Sequence, residues 1–129
     1  MAGRILLDTN AIIAIIAKDA AVAATLASFQ AGLVSAVSMG ELYYGAEKSA
    51  RKQANLLTLE RFSQTVRILP CGKPTAVVYG QLKHQLAAKG RPIPDNDLWI
   101  AAVAVQHGLA LISRDAHFDA VSGLTRVAW

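Results

Sequence analysis

Pro94-Asp-Asn-Asp-Leu-Trp-Ile-Ala-Ala-Val-Ala-Val-Gln-His-Gly108, followed by Leu109-Ala-Leu-Ile-Ser-Arg-Asp115, is the stretch that decides the fold. Its first part predicts a helix. Pro94 cannot lie inside one, and Asp95 or Asn96 suits the N-cap. From residue 98 to residue 105 almost nothing is polar, so the helix is expected to be buried nearly all round rather than amphipathic. Gly108 is a natural C′ stop. Residues 109–112 then form a continuous apolar run, the pattern of a strand covered on both faces of a parallel sheet. Asp97 falls in the first helical turn and Asp115 just past the carboxyl end of the strand. Carboxylates at the rim of so apolar a core require a reason.

Working outward, residues 4–7 (Arg-Ile-Leu-Leu) predict a short buried strand ending at Asp8. Thr9 or Asn10 can cap the helix that follows, which carries Ile12, Ile13, Ile15 and Ile16. Val22, Leu26 and Phe29 stand at helical spacing in a second helix, with Gly32 as its end, and residues 33–37 read as a second strand. Ser38-Met-Gly-Glu41 opens a third helix, and Leu56, Leu59 and Phe62 mark a fourth. Residues 66–69 are a third strand, stopped by Pro70 and Gly72. Val78, Leu82 and Leu86 stripe a fifth helix closed by Gly90, and residues 125–128 make a last short strand. Strands alternating with helices predict an α/β fold, a three-layer sandwich with a mainly parallel sheet of about five strands. No linker divides the chain, and a single domain over residues 1–129 is expected.

Composition removes several classes of function. The longest apolar runs, residues 11–17 and 20–27, are broken by Lys18 and Asp19 and fall short of a membrane span. The first residues carry no signal-peptide pattern, and the single Cys71 excludes an internal disulfide; both fit a cytoplasmic protein. The net charge of +4 suits a polyanionic partner without requiring one.

In parallel sheets, ligands bind at the carboxyl ends of the strands. Asp8 follows the first strand, Glu41 lies in the first helical turn after the second, and Asp115 follows the fourth. Asp97 is the exception: its helix is expected to begin at the opposite edge unless tilted or offset. Four carboxylates gathered there repel by several kcal/mol unless a cation neutralises them or some protonate. Mg2+ or Mn2+ takes such oxygen ligands together with water and phosphate, so the pattern points to a metal beside a phosphodiester. Each residue also has a structural alternative. Asp8 can cap the first helix, Glu41 can form a capping box with Ser38, Asp97 can answer the helix dipole, and Asp115 can start a turn. The joint placement favours the site. Asp95 reads as a cap or loop residue and Asp119 as a surface one. His84, His107 and His117 match no zinc spacing, and Trp99 and Trp129 read as packing residues.

Four segments carry a family resemblance: Leu6-Leu-Asp-Thr-Asn-Ala11, Ser38-Met-Gly-Glu-Leu-Tyr-Tyr-Gly45, Ile93-Pro-Asp-Asn-Asp-Leu-Trp-Ile-Ala-Ala102 and Leu111-Ile-Ser-Arg-Asp-Ala-His-Phe118. In this order and spacing they resemble the signature segments of PIN-domain proteins, in particular the VapC-type toxins of toxin–antitoxin pairs. The resemblance spans essentially the whole chain. It implies Asp8, Glu41, Asp97 and Asp115 as an acidic site for Mg2+ or Mn2+, with Thr9, Asn96 and Ser113 as polar neighbours. It further implies an endoribonuclease, a homodimer, and a cognate antitoxin whose tail occupies the active-site groove. With those four carboxylates neutralised, 13 basic residues face five acidic ones, a balance of +8 that suits RNA. Lys48, Arg51, Lys52, Lys89 and Arg91 are the expected backbone contacts. No histidine pair is present to run a 2′-OH route, so the expected products carry 5′-phosphate and 3′-hydroxyl ends.

Three rivals differ in what they require. A non-catalytic RNA- or protein-binding module has little reason to tolerate the acidic quartet. A phosphatase of the haloacid-dehalogenase kind needs a second carboxylate where this chain has Asn10. A response-regulator receiver needs a late lysine that the pattern lacks.

Overall fold

Side chains alternate across a strand, so a strand buried on both faces shows that its sheet is covered twice. Ile5, Leu6 and Leu7 are all buried, with Ile5 and Leu7 on one face and Leu6 on the other. The computed structural model describes residues 2–129. Its elements are β1 (Ala2–Leu7), α1 (Thr9–Ile16), α2 (Ala20–Leu26), β2 (Phe29–Ser35), α3 (Ala36–Glu47), α4 (Lys52–Ser63), β3 (Arg67–Leu69), α5 (Lys73–Ala88), α6 (Asp95–Gln106), β4 (Ala110–Ile112), a 3-10 helix (Ala116–Ala120) and β5 (Arg126–Val127). The strands lie in the order β3-β2-β1-β4-β5, and every pairing is parallel. The sandwich is therefore the three-layered one expected, with a sheet wholly rather than mainly parallel among the described residues.

Below one face, Ala11, Ile12, Val22 and Met39 from α1, α2 and α3 pack on Ile5, Leu7, Val34 and Ile112. Below the other, Leu82 and Leu86 of α5 and the apolar run of α6 pack on Leu6, Leu33 and Leu111, with Phe118 and Val121 closing the layer. Leu98 and every residue from Ile100 to Ala104 are buried, so α6 is the central helix its sequence described. Gly108 and Gly90 take φ of 63° and 65° after their helices, the left-handed turn that glycine allows without strain.

Several boundaries differ from the sequence reading. The second helix stops at Leu26, and Phe29 and Gly32 belong to β2, paired with Ala2 and Ile5 of β1. Helical spacing at Val22, Leu26 and Phe29 was outweighed by the ladder that β1 offers. Because β2 ends at Ser35, that residue caps α3, its hydroxyl accepting from the Ser38 amide at 3.1 Å. Ser38 is thus inside the helix, and its capping box with Glu41 does not form. Asp8, not Thr9 or Asn10, caps α1. Pro94 occupies the N-cap position of α6 without a side-chain bond, so neither Asp95 nor Asn96 caps it.

The sheet reverses its order of growth at β1, with β2 on one side and β4 on the other. That is the topological switch point, where the loops leaving adjacent strands diverge and open a crevice. Helix α6 needs no tilt or offset to reach it. A helix returning to the start of a parallel strand runs against that strand and so begins at the carboxyl edge; the expectation of an opposite edge was wrong.

Candidate metal centre at the carboxyl edge of the sheet

Asp8, which follows β1 and caps α1, is only 2 % exposed. Both its oxygens are engaged: Oδ1 accepts the Thr9 amide at 2.8 Å and Oδ2 accepts the Ser113 hydroxyl at 2.6 Å. Burial pushes its carboxyl up to about 6, against the pull of those two bonds, and the charges of Asp97 and Asp115 push the same way. Ser113, fully buried at the exit of β4, also accepts the Asp115 amide at 3.0 Å. One hydroxyl therefore fixes the carboxylate of β1 to the backbone of the loop after β4.

Asp97 reaches the same place from the first turn of α6. Its Oδ2 lies 3.0 Å from His117 Nε2. Burial raises its carboxyl above the ordinary range; nearby Asp115 and Glu41 add to the rise, and His117 opposes it. Asp97, Asp115 and His117 each offer a ligand atom within 4.8 Å of the other two. Asp8 adjoins this triad through Ser113. Glu41 stands to one side, held by the Thr9 hydroxyl, which donates to Oε1 at 2.7 Å.

Of the supporting residues drawn from the resemblance, Thr9 and Ser113 bond carboxylates, while Asn96 is exposed in the wall of a cleft beside Glu41. Asp95 does not join the site; it bonds Tyr79 and Lys83. Nor does Asp119, which Arg126 grips through Nε and Nη2 at 2.8 and 3.1 Å. Among the five basic candidates, Arg91 lines a cleft that includes His117, and Lys48 sits beside the Tyr44 ring. Lys52 pairs with Glu47 at 2.9 Å, and Lys89 donates to the Ala120 carbonyl and Ser122. Arg51 precedes α4 without a side-chain cap bond.

Three residues that sequence reading passed over shape the centre. His117 completes the triad. Asn10 places Nδ2 3.4 Å from both Ser113 Oγ and Asp115 Oδ2. Arg126 donates from Nη1 to the Ser113 carbonyl at 3.1 Å, tying the β4 exit to β5. The available signals were spacings, Asp8-x-Asn10 and Asp115-x-His117. Arg126 had none, since its role depends on two strands meeting.

The donors are mostly carboxylate oxygens with one imidazole, a set that fits a divalent cation of the harder kind. Burial chiefly, and neighbouring carboxylates in addition, push Asp8 and Asp97 upward, and a bound cation would compensate both effects.

A doubly covered parallel sheet with a carboxylate cluster at its switch point defines an α/β protein of the acidic-site class. Residues 5–124 match the family model of the PIN domain, and the chain belongs to that family. It is 35 % identical over 127 residues to Ribonuclease VapC2 of Haemophilus influenzae, covering 96 % of both chains. It is also 35 % identical over 97 residues to the tRNA(fMet)-specific endonuclease VapC of Shigella flexneri, covering 74 % of each. Among solved structures, VapBC2 from Rickettsia felis bound to a DNA fragment from its promoter superposes with a TM-score of 0.89 at 26 % identity, covering 98 % of each chain. DNA-bound VapBC from Salmonella typhimurium gives 0.88 at 30 % identity, over 100 % of this chain and 99 % of that one.

Proposed function

We propose that this protein is a metal-dependent endoribonuclease, the toxin of a type II toxin–antitoxin pair, hydrolysing RNA phosphodiester bonds at the acidic centre with Mg2+ or Mn2+ as its ion. The observation that carries the reading is the meeting of Asp97, Asp115 and His117 within 4.8 Å, beside a buried Asp8. The ribonuclease names of relatives at 35 % identity support it.

Asp8, Asp97 and Asp115 would hold the ion, with His117 at its side and Glu41 completing the ring. Bound there, the ion supplies charge neutralisation and Lewis acidity beside the scissile phosphate. The chain's own residues supply order. Ser113 and the Thr9 amide fix the two oxygens of Asp8. Asn10 steadies Asp115, and the Thr9 hydroxyl holds Glu41 through Oε1. The basic surface around the pocket, Lys48, Arg51 and Arg91 above all, contacts RNA phosphates.

The test is cleavage of RNA by purified protein in Mg2+ or Mn2+ against EDTA. Cutting is expected only with the divalent ion, leaving 5′-phosphate and 3′-hydroxyl ends. Products with 2′,3′-cyclic phosphate, or cutting that survives EDTA, would overturn the mechanism.

The partner is a cognate antitoxin, since structural neighbours of this chain are toxin–antitoxin complexes. An apolar groove of about 350 Å³ runs between α1, α3 and α4, lined by Ile13, Ile16, Leu42 and Leu59, and ends at Thr9 and Glu41 beside the acidic centre. Ile13 is 56 % exposed at its rim. A helical or extended antitoxin tail seated there covers that apolar surface and blocks the carboxylates. Ile13→Glu is expected to weaken neutralisation by the antitoxin at least about tenfold, one charge entering an apolar contact, while leaving RNA cutting intact. Inhibition assays with purified antitoxin decide it. The chain acts as a single domain over residues 1–129, as a homodimer in the cytoplasm; among the described residues no helix is long and apolar enough to cross a membrane.

A further inference from the structure

Glu41, Tyr44, Gly45 and Lys48 fall three and four residues apart along α3 and share one face of it. That stripe leads from the acidic centre to an open cleft of about 620 Å³, lined by Val37, Gly40, Glu41, Tyr44 and Asn96. Its volume lies within the range of roughly 300–1,000 Å³ typical of small-ligand sites. Tyr44 is 66 % exposed in its wall. Tyr43 is the tyrosine of α3 that packs against the core, whereas the Tyr44 ring stays in water. Lys48 places its ammonium 4.7 Å from the centroid of the Tyr44 ring, a cation beside an aromatic face.

The glycines flanking this ring are the second observation. Gly40 and Gly45 lie inside α3, where glycine lowers helix stability relative to alanine. Neither has the positive φ that would require glycine. Neither is forced by packing, because a Cβ built on either would meet nothing within 4 Å. Gly40 lines the Tyr44 cleft, so there the helix forgoes stability beside an exposed aromatic ring, where bare backbone lets a flat group approach closely, whereas Gly45 lines the apolar groove.

We propose that Tyr44 is a nucleobase-stacking platform: the nucleotide beside the scissile phosphate lays its base on the Tyr44 ring over Gly40, while Lys48 meets its phosphate and the Asn96 amide faces the base edge. Stacking accepts every base, and the cleft is open on one side, so the substrate is an unpaired or splayed nucleotide in single-stranded RNA or a loop. This rests on the ribonuclease reading above.

The experiment measures kcat and KM for a short single-stranded RNA of mixed sequence with the wild type, Tyr44→Ala, Tyr44→Trp and Gly40→Ala. In parallel, binding of the same RNA is measured in the Asp8→Asn background with and without Tyr44→Ala. Loss of one stacked base predicts an increase in KM, and in Kd, of about 5- to 100-fold for Tyr44→Ala, with kcat little changed and Tyr44→Trp close to wild type. Gly40→Ala is expected to raise Tm by about 3 to 5 °C and yet raise KM, a divergence that a merely structural glycine does not produce. Wild-type cutting with KM unchanged in Tyr44→Ala overturns the platform and leaves the nuclease standing. Unchanged KM with lost antitoxin inhibition also overturns it, assigning Tyr44 to the protein partner. If the wild type cuts no RNA, the ribonuclease reading fails, and the binding arm still judges the platform: equal affinity with and without Tyr44→Ala, or none in either, refutes it.

Discussion

Asp8→Asn is expected to silence the enzyme and, at the same time, to stabilise the metal-free protein. Cutting should fall at least about a hundredfold, beyond what removing an outer hydrogen-bond partner of a metal ligand costs. The stability gain follows from linkage. The Asp8 carboxyl titrates near 6 in the folded protein, above the ordinary 3.8 that it recovers when the chain unfolds. Below about pH 4 both states carry the proton and nothing is lost. As pH rises from 4 through 6 the unfolded chain ionises first, so the fold loses stability, and above 6 the loss is complete. At pH 7 it amounts to at most about 3 kcal/mol. The rise at Asp97 adds in the same direction. Thermal melts in EDTA should therefore show wild type gaining stability between pH 7 and pH 5, with a shallower slope and higher melting temperature for Asp8→Asn. A flat wild-type profile, or a less stable asparagine variant, would show that the site is not strained by its charges. Adding Mn2+ should remove the pH dependence by compensating the buried negative charge.

Phe118→Ala carries the second large effect. Phe118 has no exposed surface and lies in the 3-10 helix between His117 and Asp119. Its amide donates to the Asp115 carbonyl at 3.3 Å, and the His117 ring tilts against its own, centroids 4.7 Å apart. Truncation should cost about 3 to 5 kcal/mol through the cavity it leaves, a large share of a typical domain's stability. Leucine fills part of that space and should cost less. Because this ring anchors the turn that presents Asp115 and His117, Mn2+ affinity measured well below the melting temperature should fall in Phe118→Ala and largely return in Phe118→Leu. Loss of stability with Mn2+ affinity unchanged would show that Arg126 and Ser113 hold the turn without it.

The elements most legible in the sequence were those with a single physical demand. Helix α6 is apolar on every face and punctuated by Pro94 and Gly108, and no other structure buries such a run. Asp8 and Asp115 each had a structural alternative, and Asp8 does cap α1; they drew attention only because several carboxylates fall together at the ends of buried strands. The failures share a cause as well. Phe29 and Gly32 satisfy helical spacing locally, and only the presence of β1 beside them makes a strand of β2. Ser38 and Glu41 form a correct capping motif in the wrong frame, since Ser35 had already taken the cap. His117 matches no zinc spacing, and its approach to Asp97, 20 residues earlier in the chain, depends on how α6 meets the loop after β4. Spacing along the chain located carboxylates, whereas the partners that orient them arrive from elsewhere in space.

The pairing of β1 with β4 has a consequence for how this protein is made. The Ser113 hydroxyl and the Asp8 carboxylate that it holds are 105 residues apart, and the Ser113 carbonyl waits for Arg126. A chain emerging from the ribosome displays Asp8 first and gains Asp97, Ser113, Asp115, His117 and Arg126 only near its end. Closing so long a loop comes late in folding, after local helices have formed. A chain cut short before β4 never brings Asp97, Asp115 and His117 together beside Asp8.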